Sequence, residues 1–182
     1  MIAPGSHSPT PFRRQLGIQT PMGMYVTFVR MTPDELDKAE NDPDWAEQFL
    51  EDFYDYDGTP PPENSEVDIQ KSWAGLDHLL DEAMLPFSIQ EGGYCIANGN
   101  GWYLNLWTVA DLADAAKFLA ETPFDTLAAH YDAEAMSREE VYPNARCWDA
   151  DDLQYLRRDY DDLRAFFIAA ADSGHGAMMS FG

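Results

Sequence analysis

Residues 151–171 constrain the fold more than any other part of this chain. Leu153, Leu156, Tyr160, Leu163, Phe167 and Ala170 recur at alternating steps of three and four. That spacing places them on one face of an α-helix, with charged residues on the other. A stripe of that width is stable only if another layer of structure covers it. Gly174 supplies the stop that a helix of this kind needs. The apolar run Ala177–Phe181 then reads as a closing strand.

The covering layer is legible upstream. Residues 24–31, MYVTFVRM, alternate in the strand manner but carry apolar residues on both faces, which predicts a central strand. Thr32-Pro33-Asp34-Glu35 then opens a helix with Thr at the N-cap, Pro at N1 and Glu at N3. Asp42-Pro43-Asp44 opens a second helix, with Trp45, Phe49 and Phe53 along one side. Residues 57–68 hold three consecutive prolines and read as a loop. The spacing of Ile69, Trp73, Leu76, Leu80 and Ala83 predicts a helix over 69–83. Two Asn-Gly steps at 98–101 predict a hairpin of short strands near 93–97 and 102–106. Thr108 caps a helix through Leu119, and a short helix follows Thr122 as far as about His130.

The expected architecture is α+β. It is one mostly helical domain with a small mixed sheet that includes the N-terminal (24–31) and C-terminal (177–181) strands. Residues 1–21 hold Pro4, Pro9, Pro11 and Pro21 and no apolar core, so they read as a flexible arm before a domain spanning 22–182.

Charge narrows the partners. The chain carries 33 acidic residues against 11 basic ones, a net charge of −22. Residues 34–57 alone hold eleven acids against Lys38. Such a surface repels phosphate backbones and anionic lipid, which argues against nucleic acid and membrane partners. It accelerates encounter with a basic protein. Two cysteines without a CxxC do not form a disulfide framework, and their aromatic or apolar settings predict buried, inert thiols in a reducing cytoplasm. No apolar run reaches the length of a membrane-spanning helix.

The chain from Met22 to Phe181 resembles the YfbM-like family, a domain of unknown function. The resemblance rests on "MGMY" at 22–25, "KSWAGLDHLL" at 71–80, and "YLNLWTVADLADAAKFL" at 103–119. It continues through "HYDAEAM" and "EVYPNARCW" to "LQYLRRDYDDLRAFFIAAADSGHGAMMSF" at 153–181. It implies an α+β fold beginning at Met22, with 21 further residues ahead of that start. It implies no activity, since the family has no agreed catalytic residues to transfer.

Motifs for chemistry are sparse. Gly58 matched to the sixth position of an EF-hand loop would put Phe53 first and Asn64 twelfth, where Asp and Glu are required. The four histidines and two cysteines lack zinc-ligand spacing, so no metal is expected. No GxGxxG, phosphate loop or GxSxG occurs, and no cofactor is expected. One stripe on the expected 69–83 helix stands out: Lys71, Gly75, His78 and Glu82 would share a face beside Trp73. A glycine inside a helix costs about 1 kcal/mol against alanine, so something should pack closely there. Tyr142, Pro143 and Trp148 offer an aromatic platform. Packing roles compete with functional ones for all of these residues, with His78 pairing to Asp77 or Glu82.

Two functional expectations follow. The first is a cytoplasmic, non-enzymatic interaction module for a basic protein, of which an immunity- or antitoxin-like role is one version. The alternative is an enzyme or small-ligand binder with a pocket near Lys71, Trp73, His78 and Tyr142. Gly75 and Trp148 complete the candidate binding residues.

Overall fold

The computed structural model describes residues 23–55, 61–99, 102–143 and 147–182. The expected arm at 1–21 lies outside these residues, as does the turn at 100–101. In chain order the elements are β1 (Val26–Met31), α1 (Pro33–Asn41), α2 (Pro43–Tyr54), β2 (Glu66–Gln70), α3 (Trp73–Glu82) and β3 (Tyr94–Gly99). They continue as β4 (Trp102–Trp107), α4 (Val109–Glu121), α5 (Phe124–Ala128), α6 (Ala133–Arg138), α7 (Asp152–Asp172) and β5 (Gly176–Phe181). This is an α+β domain.

The helix starts behave as their residues dictate. The Thr32 hydroxyl accepts from the Glu35 amide at 3.3 Å, and the Glu35 carboxylate accepts from the Thr32 amide at 2.7 Å. Asp42 accepts from the Trp45 amide and Thr108 from the Asp111 amide. Each bond satisfies an amide that the helix itself leaves without a partner.

The strands form one sheet in the order β2-β1-β5-β4-β3. The two ends of the domain are neighbours: β1 pairs with β5 from Val26↔Phe181 to Met31↔Gly176. The expectation of a mixed sheet is corrected, because all the pairings are antiparallel. Neighbours that follow one another in the chain, such as β3 and β4, are joined at the same end of the sheet. A parallel pair would need a crossover from the opposite end.

The stretch before α3 also differs from its reading. Residues 66–70 form β2 on the outer side of β1, and the helix begins at Trp73 rather than at 69. Val67 and Ile69 point inward while Asp68 and Gln70 are exposed. Two apolar residues beside a proline run are too short a signal for a period of two to be recognised. Gln70 then takes a positive φ of 46°, which turns the chain into α3.

The inner strands β1, β5 and β4 are covered on both faces. Phe28, Trp107, Met179 and Phe181 pack under α3, α4 and α7. Met31, Leu104, Leu106 and Met178 pack on the other face under Leu36, Ala39 and Ala46 of α1 and α2. The α7 stripe lies where its periodicity placed it, with Leu156, Tyr160, Leu163, Phe167 and Ala170 buried. Both cysteines are exposed and free, against the expectation of buried thiols. Cys95 sits on the edge strand β3 and Cys147 in the segment before α7, so neither is roofed by a second layer.

Candidate functional site

The six candidate residues do not meet in one cavity. Three of them converge instead on the backbone where the domain begins. Trp73 and Tyr142 stack, with ring centroids 5.5 Å apart and planes 22° from parallel. The Trp73 indole N–H donates to the Met24 carbonyl at 3.1 Å. The Met24 amide donates to the Tyr142 hydroxyl at 2.8 Å. One stacked pair thereby satisfies both backbone groups of a single residue just before β1. Lys71, in the turn between β2 and α3, lies against Gly23, where an added Cβ would sit 2.3 Å from its Cε. Its ammonium stands 5.2 Å from the centre of the Tyr25 ring, a cation–ring contact. Lys71 therefore does not share a helical face with Gly75 and His78, because the helix starts after it.

Gly75 and Trp148 form a second unit. A Cβ at Gly75 would lie 2.5 Å from Trp148 Cη2 and 2.9 Å from Leu156 Cδ2. The missing side chain is the space into which the Trp148 ring fits. That ring is held by its indole N–H, which donates to the Val141 carbonyl at 3.0 Å. Gly75→Ala is expected to destabilise the fold by about 1 kcal/mol. The gain of about 1 kcal/mol in helix propensity is outweighed by about 1–3 kcal/mol of overpacking. Urea unfolding reads the balance, and a variant more stable than the parent would show that the indole yields freely.

His78 belongs elsewhere. Its Nδ1 lies 3.9 Å from Glu139 Oε2 on the segment after α6, rather than against Asp77 or Glu82. It lines a cavity of about 670 Å³ with Asp77, Asp81, Leu85, Pro86, Phe87, Ser88, Gln90, Glu91 and Gly92. This is a wall of three carboxylates, one imidazole and an apolar floor, with no Lys or Arg among the described residues that line it. The sequence reading missed Asp77, Asp81 and Glu91 as a group. Asp77 and Asp81 lie one helical turn apart on α3, but Glu91 arrives from an irregular loop with no periodicity to announce it.

Asp77 organises that loop. Its carboxylate accepts from the Ile89 amide at 2.6 Å, the Gln90 amide at 3.0 Å and the Ser88 hydroxyl at 3.4 Å. Burial pushes its pKa from 3.8 up to about 6, against the lowering effect of those bonds. A carboxyl whose folded pKa is raised binds its proton more tightly when folded, so protonation favours the native state. Its contribution to stability is therefore fully present below about pH 3.8 and is lost as pH rises through about 6. Carbon-detected NMR titration should find the Asp77 midpoint near 6, and Asp77→Asn should remove this slope from the stability profile. A midpoint near 3.8 would contradict the burial argument.

A smaller cleft of about 260 Å³ brings together Lys71, Ser72, Trp148, Tyr155 and Asp159, with Gln70, Pro143, Asp152 and Leu156 completing its walls. Asp159 is buried there. It accepts from the Ser72 hydroxyl and takes two bonds from the Arg158 guanidinium, at 2.8 and 2.7 Å. Asp159 flanks the apolar stripe of α7, and Ser72 lies far from it in the chain, so no local pattern links them. Among the described residues no group of three or more His, Cys, Asp or Glu side chains is arranged to hold a metal ion.

Comparison with curated proteins finds no match. The crystal structure of YfbM from Escherichia coli, a protein of unknown function, is similar in fold, with a TM-score of 0.62 at 16% identity. The match covers 87% of this chain and 99% of that one. The family described as domain of unknown function (DUF1877) matches residues 22–180. Nearly the whole described domain lies inside that match, and the chain belongs to this family.

Proposed function

We propose that this protein is a non-enzymatic binding module for a basic protein partner, with an immunity- or antitoxin-like role as one form of that activity. The observation that supports the reading best is the 670 Å³ cavity, walled by Asp77, Asp81 and Glu91 beside His78, with no Lys or Arg among its described lining residues. It opens on a chain of net charge −22. Such a field draws a cationic surface in and repels phosphate. Exposed acids on α1 and α2, among them Asp34, Asp44, Glu51 and Asp52, extend the field. Trp73, Gly75 and Tyr142 are engaged in internal packing and hydrogen bonds, which weighs against a ligand pocket built on them.

A cytoplasmic location belongs to the same proposal, since two exposed free cysteines suit a reducing compartment. Among the described residues no helix is long and apolar enough to cross a membrane.

A pull-down with the full chain at low and high salt tests the reading. A basic protein retained at low salt and released at high salt is expected. Asp81→Lys with Glu91→Lys should weaken its retention. A chain that retains no protein at low salt would remove the proposal's main support.

A second reading, small-ligand binding, is favoured by the cleft that places Lys71 and the Trp148 ring beside buried Ser72 and Asp159. A thermal-shift ligand screen on the parent, Lys71→Ala and His78→Ala separates the two cavities. Hits lost with Lys71→Ala would assign the small cleft. A profile unchanged in His78→Ala would take His78 out of contention.

A further inference from the structure

The two edges of the sheet are protected unequally. The β2 edge carries Glu66 and Asp68 and packs against α7. Charges and a covering helix are the usual means of blunting an edge. The opposite edge, β3, reads Tyr94-Cys95-Ile96-Ala97-Asn98-Gly99 and holds no charged residue. Its hydrogen-bonded neighbour is β4, and among the described residues no backbone group pairs with its outer side. Tyr94, Cys95, Asn98 and Gly99 are exposed. Among the described residues the outer side of β3 has no backbone partner, and one of the strand's carbonyls, that of Ala97, takes a side-chain bond, from Cys95 Sγ at 3.4 Å; such an edge is the template for an added strand.

The surroundings of that edge select an occupant by charge. Tyr94 stands over a hollow of about 180 Å³ with Asp37 and Glu40 of α1 in its wall. Partial burial, then the negative charge of Glu40, Asp37 and Asp111, pushes the Tyr94 hydroxyl above its ordinary pKa. A second copy of this chain fits poorly, since each copy brings a net charge of −22. The register shift between Cys95 and Ala97 also twists the strand, which opposes the long flat pairing of two like edges.

We propose that β3 takes an extended basic segment of a partner protein as a sixth strand, with the cationic side chains of that segment seated on Asp37 and Glu40 beside Tyr94. Main-chain bonds supply the pairing, and the acids supply the choice of partner. The proposal rests on the binding-module reading and gives it a place on the fold.

The test uses the full chain, isotopically labelled, and a short peptide alternating lysine with threonine, at low salt. Exchange of the free outward amides of Tyr94–Gly99 is expected to slow about tenfold when peptide is at ten times its dissociation constant. A glutamate-for-lysine peptide should give no protection. Asp37→Lys with Glu40→Lys, both on an exposed helix face, should weaken binding about tenfold or more, with circular dichroism confirming the fold.

Salt-sensitive binding that protects the loop around Asp77 and Glu91 but leaves β3 unchanged would overturn this proposal while sparing the binding-module reading. Failure of the lysine peptide to bind at low salt would count against both. Amides of β3 already protected without peptide, with a doubled mass in sedimentation, would overturn it in favour of self-pairing.

Discussion

Trp73→Ala is expected to lower the stability of the domain by about 4 kcal/mol, the ordinary cost of deleting a buried aromatic ring. In a domain of this size that is a fall of roughly 10 °C in Tm. The indole does three things. It stacks on Tyr142 with centroids 5.5 Å apart, meets Phe181 edge-on at 5.1 Å, and donates to the Met24 carbonyl at 3.1 Å. Alanine loses all three and leaves the Met24 carbonyl without its side-chain donor. Trp73→Phe separates the contributions, since it keeps most of the ring and removes the donor, at about 1 kcal/mol. Tyr142→Phe removes the acceptor of the Met24 amide at a similar cost. The double variant should be non-additive, because both bonds act on one residue. Urea unfolding at matched protein concentration reads each value. A Trp73→Ala variant within about 1 kcal/mol of the parent would show that the stack does not hold the start of β1 in place.

Phe167→Ala is the second large effect, again about 4 kcal/mol. Phe167 is fully buried in the C-terminal half of α7 and touches four other rings. Its centroid lies 5.3 Å from Phe28, 5.7 Å from Phe87, 5.3 Å from Trp107 and 5.8 Å from Phe166. Three of these contacts are edge-on, with interplanar angles of 73°, 88° and 89°, the arrangement that the quadrupoles of the rings prefer. The ring joins α7 to β1, β4 and the loop before β3, so its removal opens a cavity that no single neighbour can fill. Phe167→Leu keeps most of the volume and should cost less than half as much. Equal losses for alanine and leucine would mean that ring geometry, rather than volume, carries the site.

These two positions were not equally visible. Phe167 falls on the α7 stripe, and its burial follows from spacing alone. Trp73 reads as one more apolar position on a helix, and nothing in the chain says that its N–H finds Met24, 49 positions earlier. Elements long enough to repeat their period were readable: α7, the Thr32 and Asp42 caps, and the strands at both ends. β2 was missed because five residues with two inward side chains offer too little pattern beside a proline run. The cysteines were misplaced because apolar sequence neighbours do not say whether a second layer covers them.

The candidate site shows the same division. Gly75 signalled close packing through its cost in a helix, and the structure supplies Trp148 as the partner. The carboxylate wall of Asp77, Asp81 and Glu91 left no trace, because Glu91 is placed by a loop whose shape comes from bonds to Asp77.

By itself the sequence determined the class of fold, the helix starts at Thr32, Asp42 and Thr108, the inward face of α7, the family and the sign of the surface field. All of these depend on residues close in the chain, or on sums over it. Tertiary structure alone decided that the first and last strands of the domain pair as β1 and β5, and that Lys71, Trp73 and Tyr142 grip the start of β1. It also decided that an acidic cavity forms between α3 and the loop after it, and that β3 is left as an uncharged edge. Those outcomes depend on contacts between residues far apart in sequence, selected by how whole layers bury their apolar faces.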